Sequence, residues 1–202
     1  MDVKHFLSEI SRQIGLNTAA LQLPNCELDH EHVKVMMINE VVPKNPDDWF
    51  YSQTSDPENR RTVLGLFEIA GIPIKNMSDV LDIGIYITAA LKTPKVGYTA
   101  DPAVIKSQFP LLEAEIGLFP NLKAIMLMGD VAIKSVNMIV KSKTKKNLIP
   151  SQSTYKIRNN EYFWGNIRVF PSYIMTGKNL LIEPFKRDII VEDIRRMSKV
   201  IK

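Results

Sequence analysis

Four short runs of the chain are almost continuously apolar. They are Val33–Glu40 (VKVMMINE), Gly84–Leu91 (GIYITAAL), Leu122–Gly129 (LKAIMLMG) and Ile167–Tyr173 (IRVFPSY). Each is rich in Val, Ile or aromatic residues and has turn or polar residues nearby, which predicts strands. The lack of apolar–polar alternation predicts strands covered on both faces. Helical periodicity fills the gaps. Val3–Ile14 opens the chain, and Arg60–Ala70 stops at Gly71 with Pro73 beyond, a helix-end signature. Pro102–Leu118 begins with Pro after the cap Asp101, and its Ile105, Phe109, Leu112 and Ile116 recur three or four apart. Asp130–Val140 follows the third strand directly. Pro184–Ile201 carries Phe185, Ile190, Ile194, Met197 and Ile201 on one stripe. Regular alternation of strand and helix predicts a three-layer α/β/α sandwich around a central four-stranded parallel sheet. We expect one domain over residues 1–202. Two stretches, Val42–Asn59 and Lys141–Asn160, read as irregular, and long loops in compact domains are often functional.

In open parallel sheets, ligands bind beyond the carboxyl ends of the strands. That directs attention to Asn39–Tyr51, Thr88–Thr93, the Gly129–Asp130 turn and Ser172–Lys178. Composition leaves this picture unchanged: 45% apolar and 24% charged residues are ordinary for a globular domain. Charge adds to it. Residues 1–60 hold 5 basic and 10 acidic side chains, whereas residues 121–160 hold 8 basic and 1 acidic, in a chain of net charge +4. Such a dipole suits an anionic partner such as nucleic acid, although a solvated lysine-rich surface explains it equally. No apolar run approaches the roughly 18–20 residues of a membrane span, and MDVKHFLSEI has no signal-like core. A soluble cytoplasmic protein with no membrane partner is expected. With Cys26 the only cysteine, neither an internal disulfide nor a four-thiolate site can form.

The order of the segments is similar to that of a known family. RRTVLGLFEIAGIPIKNMSDVLDIGIYITAALKTPK resembles the helix-then-strand stretch of the iron–sulfur branch of uracil-DNA glycosylases, which ends in threonine–asparagine–alanine–valine–lysine–cysteine. Here Ile87–Thr93 reads ITAALKT. FPLLEAEIGLFPNLKAIMLMGDVAIKSV resembles the family's stretch of proline, leucine–glutamate–alanine–glutamate, apolar strand, glycine and helix. VFPSYIMTG resembles its valine–phenylalanine–proline–threonine–tyrosine–histidine–proline–serine segment, and EPFKRDIIVEDIRRM its last helix. The resemblance runs from about Val33 to Ile201. It implies hydrolysis of the bond between a base and its deoxyribose, with the nucleotide flipped into a pocket.

Residue by residue, the resemblance implies the following site. The family's glycine–glutamate–alanine–proline–glycine motif and following carboxylate fall on Asn39–Asp48, without either glycine. Glu40, Asp47 and Asp48 are the candidate carboxylates that orient water or stabilise the sugar cation. Asn39 matches the asparagine that other branches use. Asp47 and Asp48 equally suit a capped, solvated loop. Trp49 and Phe50, followed by Tyr51, are candidates for the ring on which a flipped base stacks, or for anchors of the loop to the core. Ala89 stands at the base-reading asparagine and Ile174 at the histidine that stabilises the departing base. Losing one such donor typically costs about 10²–10³ in rate. Ser172, Tyr173, Thr176 and Lys178 are the polar substitutes nearby, and Ser172 and Thr176 are candidate phosphate contacts. Thr93 and Gln108 stand near two cluster-cysteine positions, so neither an iron–sulfur cluster nor another cofactor is expected. Lys92 reads as structural or phosphate-facing.

Other features have two readings. Lys143, Lys145 and Lys146, with Lys141, are DNA-phosphate candidates or a solvated loop. Cys26, Asp29, His30, Glu31 and His32 could hold a metal, but the expectation is that no metal is bound. The sequence therefore predicts a divergent DNA glycosylase acting on an altered base, or a nucleic-acid or nucleobase binder of the same fold with the chemistry lost. A nucleotide-binding protein of another kind has no phosphate-loop or dinucleotide glycine fingerprint to support it. The base, the strandedness of the substrate and the oligomeric state are not specified.

Overall fold

The computed structural model describes residues 1–54, 56–97, 99–176 and 184–201. Its strands are β1 (Val35–Val41), β2 (Ile85–Leu91), β3 (Ala124–Met128), β4 (Tyr162–Trp164) and β5 (Ile167–Ser172). Its α-helices among the described residues are α1 (Val3–Gln13), α2 (Glu58–Ile69), α3 (Met77–Asp82), α4 (Pro102–Gly117), α5 (Asp130–Thr144), α6 (Thr154–Ile157) and α7 (Pro184–Ser198). The fold is α/β, and the sheet order is β2-β1-β3-β5-β4.

All four expected strands form and pair in parallel. The expected sheet needs one correction. β4 adds an antiparallel fifth strand on the outer side of β5, so the sheet is mixed. Three residues after a polar stretch show no apolar run. Gly165, at φ +59, makes the tight turn that lays β4 against β5. Every residue of β2 and β3 is buried, and β1 is buried up to Glu40. Side chains alternate between faces, so both faces of the central strands are covered. α4 packs on β2, α5 on β1 and β3, and α7 on β5 and α2.

One loop expectation also changes, and one helix is additional. α3 has no counterpart among the expected elements, although Asn76 and Asp79 form a reciprocal capping box at its start. α5 continues past Val140 through Lys141 and Lys143 and ends at Lys145, whose φ of +64 is left-handed. Its buried stripe stops at Val140, but lysine is a good helix former, and extending a helix costs far less than starting one. A helix of 15 residues spans roughly 22 Å. The last turn of α5 therefore lies far from its start at the carboxyl rim. Lys143 stands 5.8 Å over the Trp164 ring, and Trp164 pairs with Ile167 at the beginning of β5.

Candidate functional site

Strand register sets the rim. Ala89, Asn39, Met128 and Ser172 form one row across β2, β1, β3 and β5. Asp130 begins α5 two residues beyond Met128. The residues expected at one rim are therefore brought together there.

Glu40 is buried beside the start of α5. Its Oε1 accepts from Val131 N at 3.2 Å, and its Oε2 accepts from Lys95 Nζ at 3.1 Å. Gly129, the cap residue of α5, has no side chain to satisfy the first amides. A carboxylate from β1 supplies that bond instead, where the helix end favours negative charge. The approach requires glycine. Gly129 has φ +102, and a Cβ there would lie 2.6 Å from Glu40 Oε1 and 2.6 Å from Ile174 Cγ1. Glu40 is thus held by an amide and a cation, with Ile174 packed against the same turn. A hollow of about 390 Å3 opens alongside, lined by residues including Leu91, Thr93, Lys95, Asp101 and Val104.

Asn39 is 2% exposed. Its Nδ2 donates to Thr176 Oγ1 at 2.8 Å, while its Oδ1 is buried without a hydrogen-bond partner among the described residues. Buried polar atoms are nearly always paired, so this oxygen stands out at the rim.

The acidic–aromatic loop divides in two. Asp47 is exposed and Asp48 half-buried, in a short 3-10 turn fixed by backbone bonds and by Asn45 Oδ1, which accepts from Asp47 N. Trp49 and Phe50 do not offer open rings. They are 4% and 0% exposed, with centroids 4.8 Å apart. Tyr51 donates from its hydroxyl to Ile87 O at 2.7 Å. Tyr51 fastens the loop onto β2, and Trp49 and Phe50 are buried in the core beside it, so this structure corrects the expectation of an open stacking platform at Trp49 or Phe50. Ala89 is wholly buried within β2.

The expected phosphate contacts are scattered. Ser172 is fully buried and donates to Asp193 Oδ2 at 2.8 Å, leaving it no open side for a phosphate. Burial raises the Asp193 carboxyl above its usual range, against the pull of Arg158 and Ser172. Thr176 is partly exposed but is engaged by Asn39. Lys143, which pairs with Glu113 at 2.6 Å, and Lys145 and Lys146 lie at the other end of α5. They do not join the rim. Lys178 lies outside the described residues.

Lys92 is structural. It is 1% exposed, and its Nζ donates to Glu115 Oε2, Thr88 Oγ1 and Ala89 O at 2.6–2.7 Å. Burial lowers its pKa, against the attraction of Glu115. Tyr86 completes the cluster by donating to Glu115 Oε1, and burial raises its pKa. Among the described residues, no group of three or more His, Cys, Asp or Glu is placed to hold a metal. Asp29 accepts from Glu31 N, and a His32 ring nitrogen contacts Asp82 O at 2.8 Å. The Cys26 thiol is pushed up to about 12, mainly by burial and then by Glu115. No described helix is long and apolar enough to cross a membrane.

Sequence reasoning missed Lys95, which has no recognisable motif, and the dependence of Glu40 on Gly129. The strand–glycine–helix junction marked the turn but not its partner. No family model matches the chain, and no curated protein matches it.

Proposed function

We propose that this chain is a uracil-DNA-glycosylase-like protein of three-layer α/β/α build. In this reading it takes a nucleobase of DNA at the carboxyl rim and hydrolyses the bond to deoxyribose. The observation that carries the reading is the Asn39 oxygen, buried at the end of β1 and unpartnered among the described residues. Held from behind by Thr176, it suits a water molecule. The water donates a hydrogen bond to Oδ1 and attacks C1′ of the sugar. The C1′–nitrogen bond breaks, the hydroxyl stays on the sugar and the proton leaves with the base. Asn39 thus takes the role expected of Asp47 or Asp48, because Asp47 stands in solvent and Glu40 is tied to Lys95 and Val131. Ile174 offers no donor to the departing base, so turnover is slow.

That same Ile174, packed at Gly129, favours a second reading: a nucleobase or nucleic-acid binder that performs no hydrolysis. One experiment separates the two. Single- and double-stranded oligonucleotides containing uracil, hypoxanthine, xanthine or a mismatch are incubated with the protein and cleaved with alkali at abasic sites. Hydrolysis predicts strand scission for at least one substrate. Asn39→Ala should slow it by about 10²-fold or more, and Asp47→Asn should leave it unchanged. Binding to these oligonucleotides without base release from any of them selects the second reading. Release that is unaffected by Asn39→Ala removes the role given to Asn39.

A further inference from the structure

β4 is the outer strand of the sheet, and its hairpin with β5 carries rings and cations together. Phe163 is 54% exposed. Its cross-strand partner is Arg168. The Arg168 guanidinium lies 5.1 Å from the Phe163 ring centroid and 5.2 Å from that of Phe170, within cation–π range of both. α7 brings Arg196 and, just past its end, Lys199 to the same place. These residues line a hollow of about 460 Å3. Arg168 is only 11% exposed and is bound to Glu161 at 3.2 Å and to Asn160 O at 3.4 Å, so it backs the Phe163 ring rather than facing the hollow with a free charge. Arg196 is fixed by Asn159 and Asp193, and Lys199 is exposed. On the other face of the hairpin, Lys143 stands over Trp164, followed by the exposed Lys145 and Lys146. The basic segment that stood out in the sequence therefore adjoins this hairpin rather than the rim.

An open aromatic ring beside positioned cations accepts a base on its face and the backbone phosphates on the charges. In a duplex the base faces are stacked inside, so the ring selects an unpaired strand. An acidic peptide would use the cations and leave the ring idle. We propose that the β4–β5 edge is a docking surface for single-stranded nucleic acid, with one base on the outer face of the Phe163 ring that Arg168 backs, and a backbone phosphate on the exposed Lys199. Arg168 lies four register positions below Ser172, roughly 13 Å down the strands from the Asn39 row. The surface stands whether or not the rim releases a base.

The test is fluorescence anisotropy of fluorescein-labelled dT12 at low salt. The wild-type protein should bind dT12 more tightly than a 12-base-pair duplex. Phe163→Leu keeps apolar bulk but removes the ring, and should weaken dT12 binding about fivefold or more. Lys199→Ala should flatten the slope of log affinity against log salt by about 0.7. Base release at the rim is scored separately, with Asn39→Ala in the alkali-cleavage assay on duplex substrates, so a failure here is distinct from a failure of the glycosylase reading. The proposal is overturned by absent dT12 binding, by unchanged affinity in Phe163→Leu, or by polyglutamate displacing the probe as well as unlabelled dT12 does. If Phe163→Leu fails to fold, Lys199→Ala decides alone, and an unchanged salt slope overturns the proposal.

Discussion

Gln108 and Thr93 are hydrogen-bonded to each other: Gln108 Nε2 donates to Thr93 Oγ1 at 2.8 Å. The same amide accepts from Lys92 N at 2.7 Å through its Oε1, tying α4 to the end of β2. Gln22 N donates to Lys92 O at 2.8 Å and draws the amino-terminal segment into the knot. In the family that the sequence resembles, cluster cysteines stand near these two positions. Here an amide and a hydroxyl face each other. Gln108→Ala would leave the Lys92 amide buried without a partner. The expected loss is about 1–3 kcal/mol in unfolding free energy, read from urea denaturation. A loss within experimental error would mean that the knot holds nothing together.

Gly129 should tolerate no side chain. Its φ of +102 strains any L-residue, and a Cβ would press on Glu40 and Ile174. Strain and overpacking together put the cost of Gly129→Ala at about 2–5 kcal/mol. Gly71, at φ +83 with nothing within 4 Å of a Cβ, isolates the backbone part. Gly71→Ala should cost roughly 1–3 kcal/mol and less than Gly129→Ala. Equal losses in the two variants would show that the contact with Glu40 is slack.

Cys26 makes a pH prediction. Its thiol ionises near 9.0 when free and at about 12 in the folded chain. Between those values the unfolded chain has released a proton that the folded chain retains. Stability contributed by the thiol is therefore complete below pH 9 and declines as pH rises towards 12. The slope approaches at most about 1.4 kcal/mol per pH unit. Urea midpoints of wild type and Cys26→Ala are compared from pH 8 to 10.5. Wild type should lose ground to Cys26→Ala above pH 9. Parallel curves would place the thiol in contact with solvent.

Much of the fold was legible because its central strands are buried on both sides. A strand such as Leu122–Gly129 must be apolar at successive positions, and that mark survives without neighbours. β4 left no such mark, since an edge strand of three residues needs only a turn at Gly165 and a partner. The rim was legible for a related reason: once strands and helices alternate, the ends of Asn39, Ala89 and Ser172 must coincide.

What happens at the rim was decided only in three dimensions. Asp47, Asp48 and Glu40 are equivalent acids on paper. Packing left Asp47 in solvent and bound Glu40 to the start of a helix 91 positions away in sequence. Trp49 and Phe50 read as platform or anchor until burial in the core made them anchors. The lysines after Val140 read as a loop, either solvated or contacting phosphate, until α5 extended through them and carried them to the other end of the sheet. By itself, the sequence determined which segments become the four parallel strands and the longer helices between them, and that four strand ends share one rim, because local hydrophobic pattern and chain direction suffice for both. Tertiary structure alone decided which polar groups keep a free valence there, because a side chain's partner and its access to water depend on segments far apart in the chain, as with the 137 positions between Asn39 and Thr176.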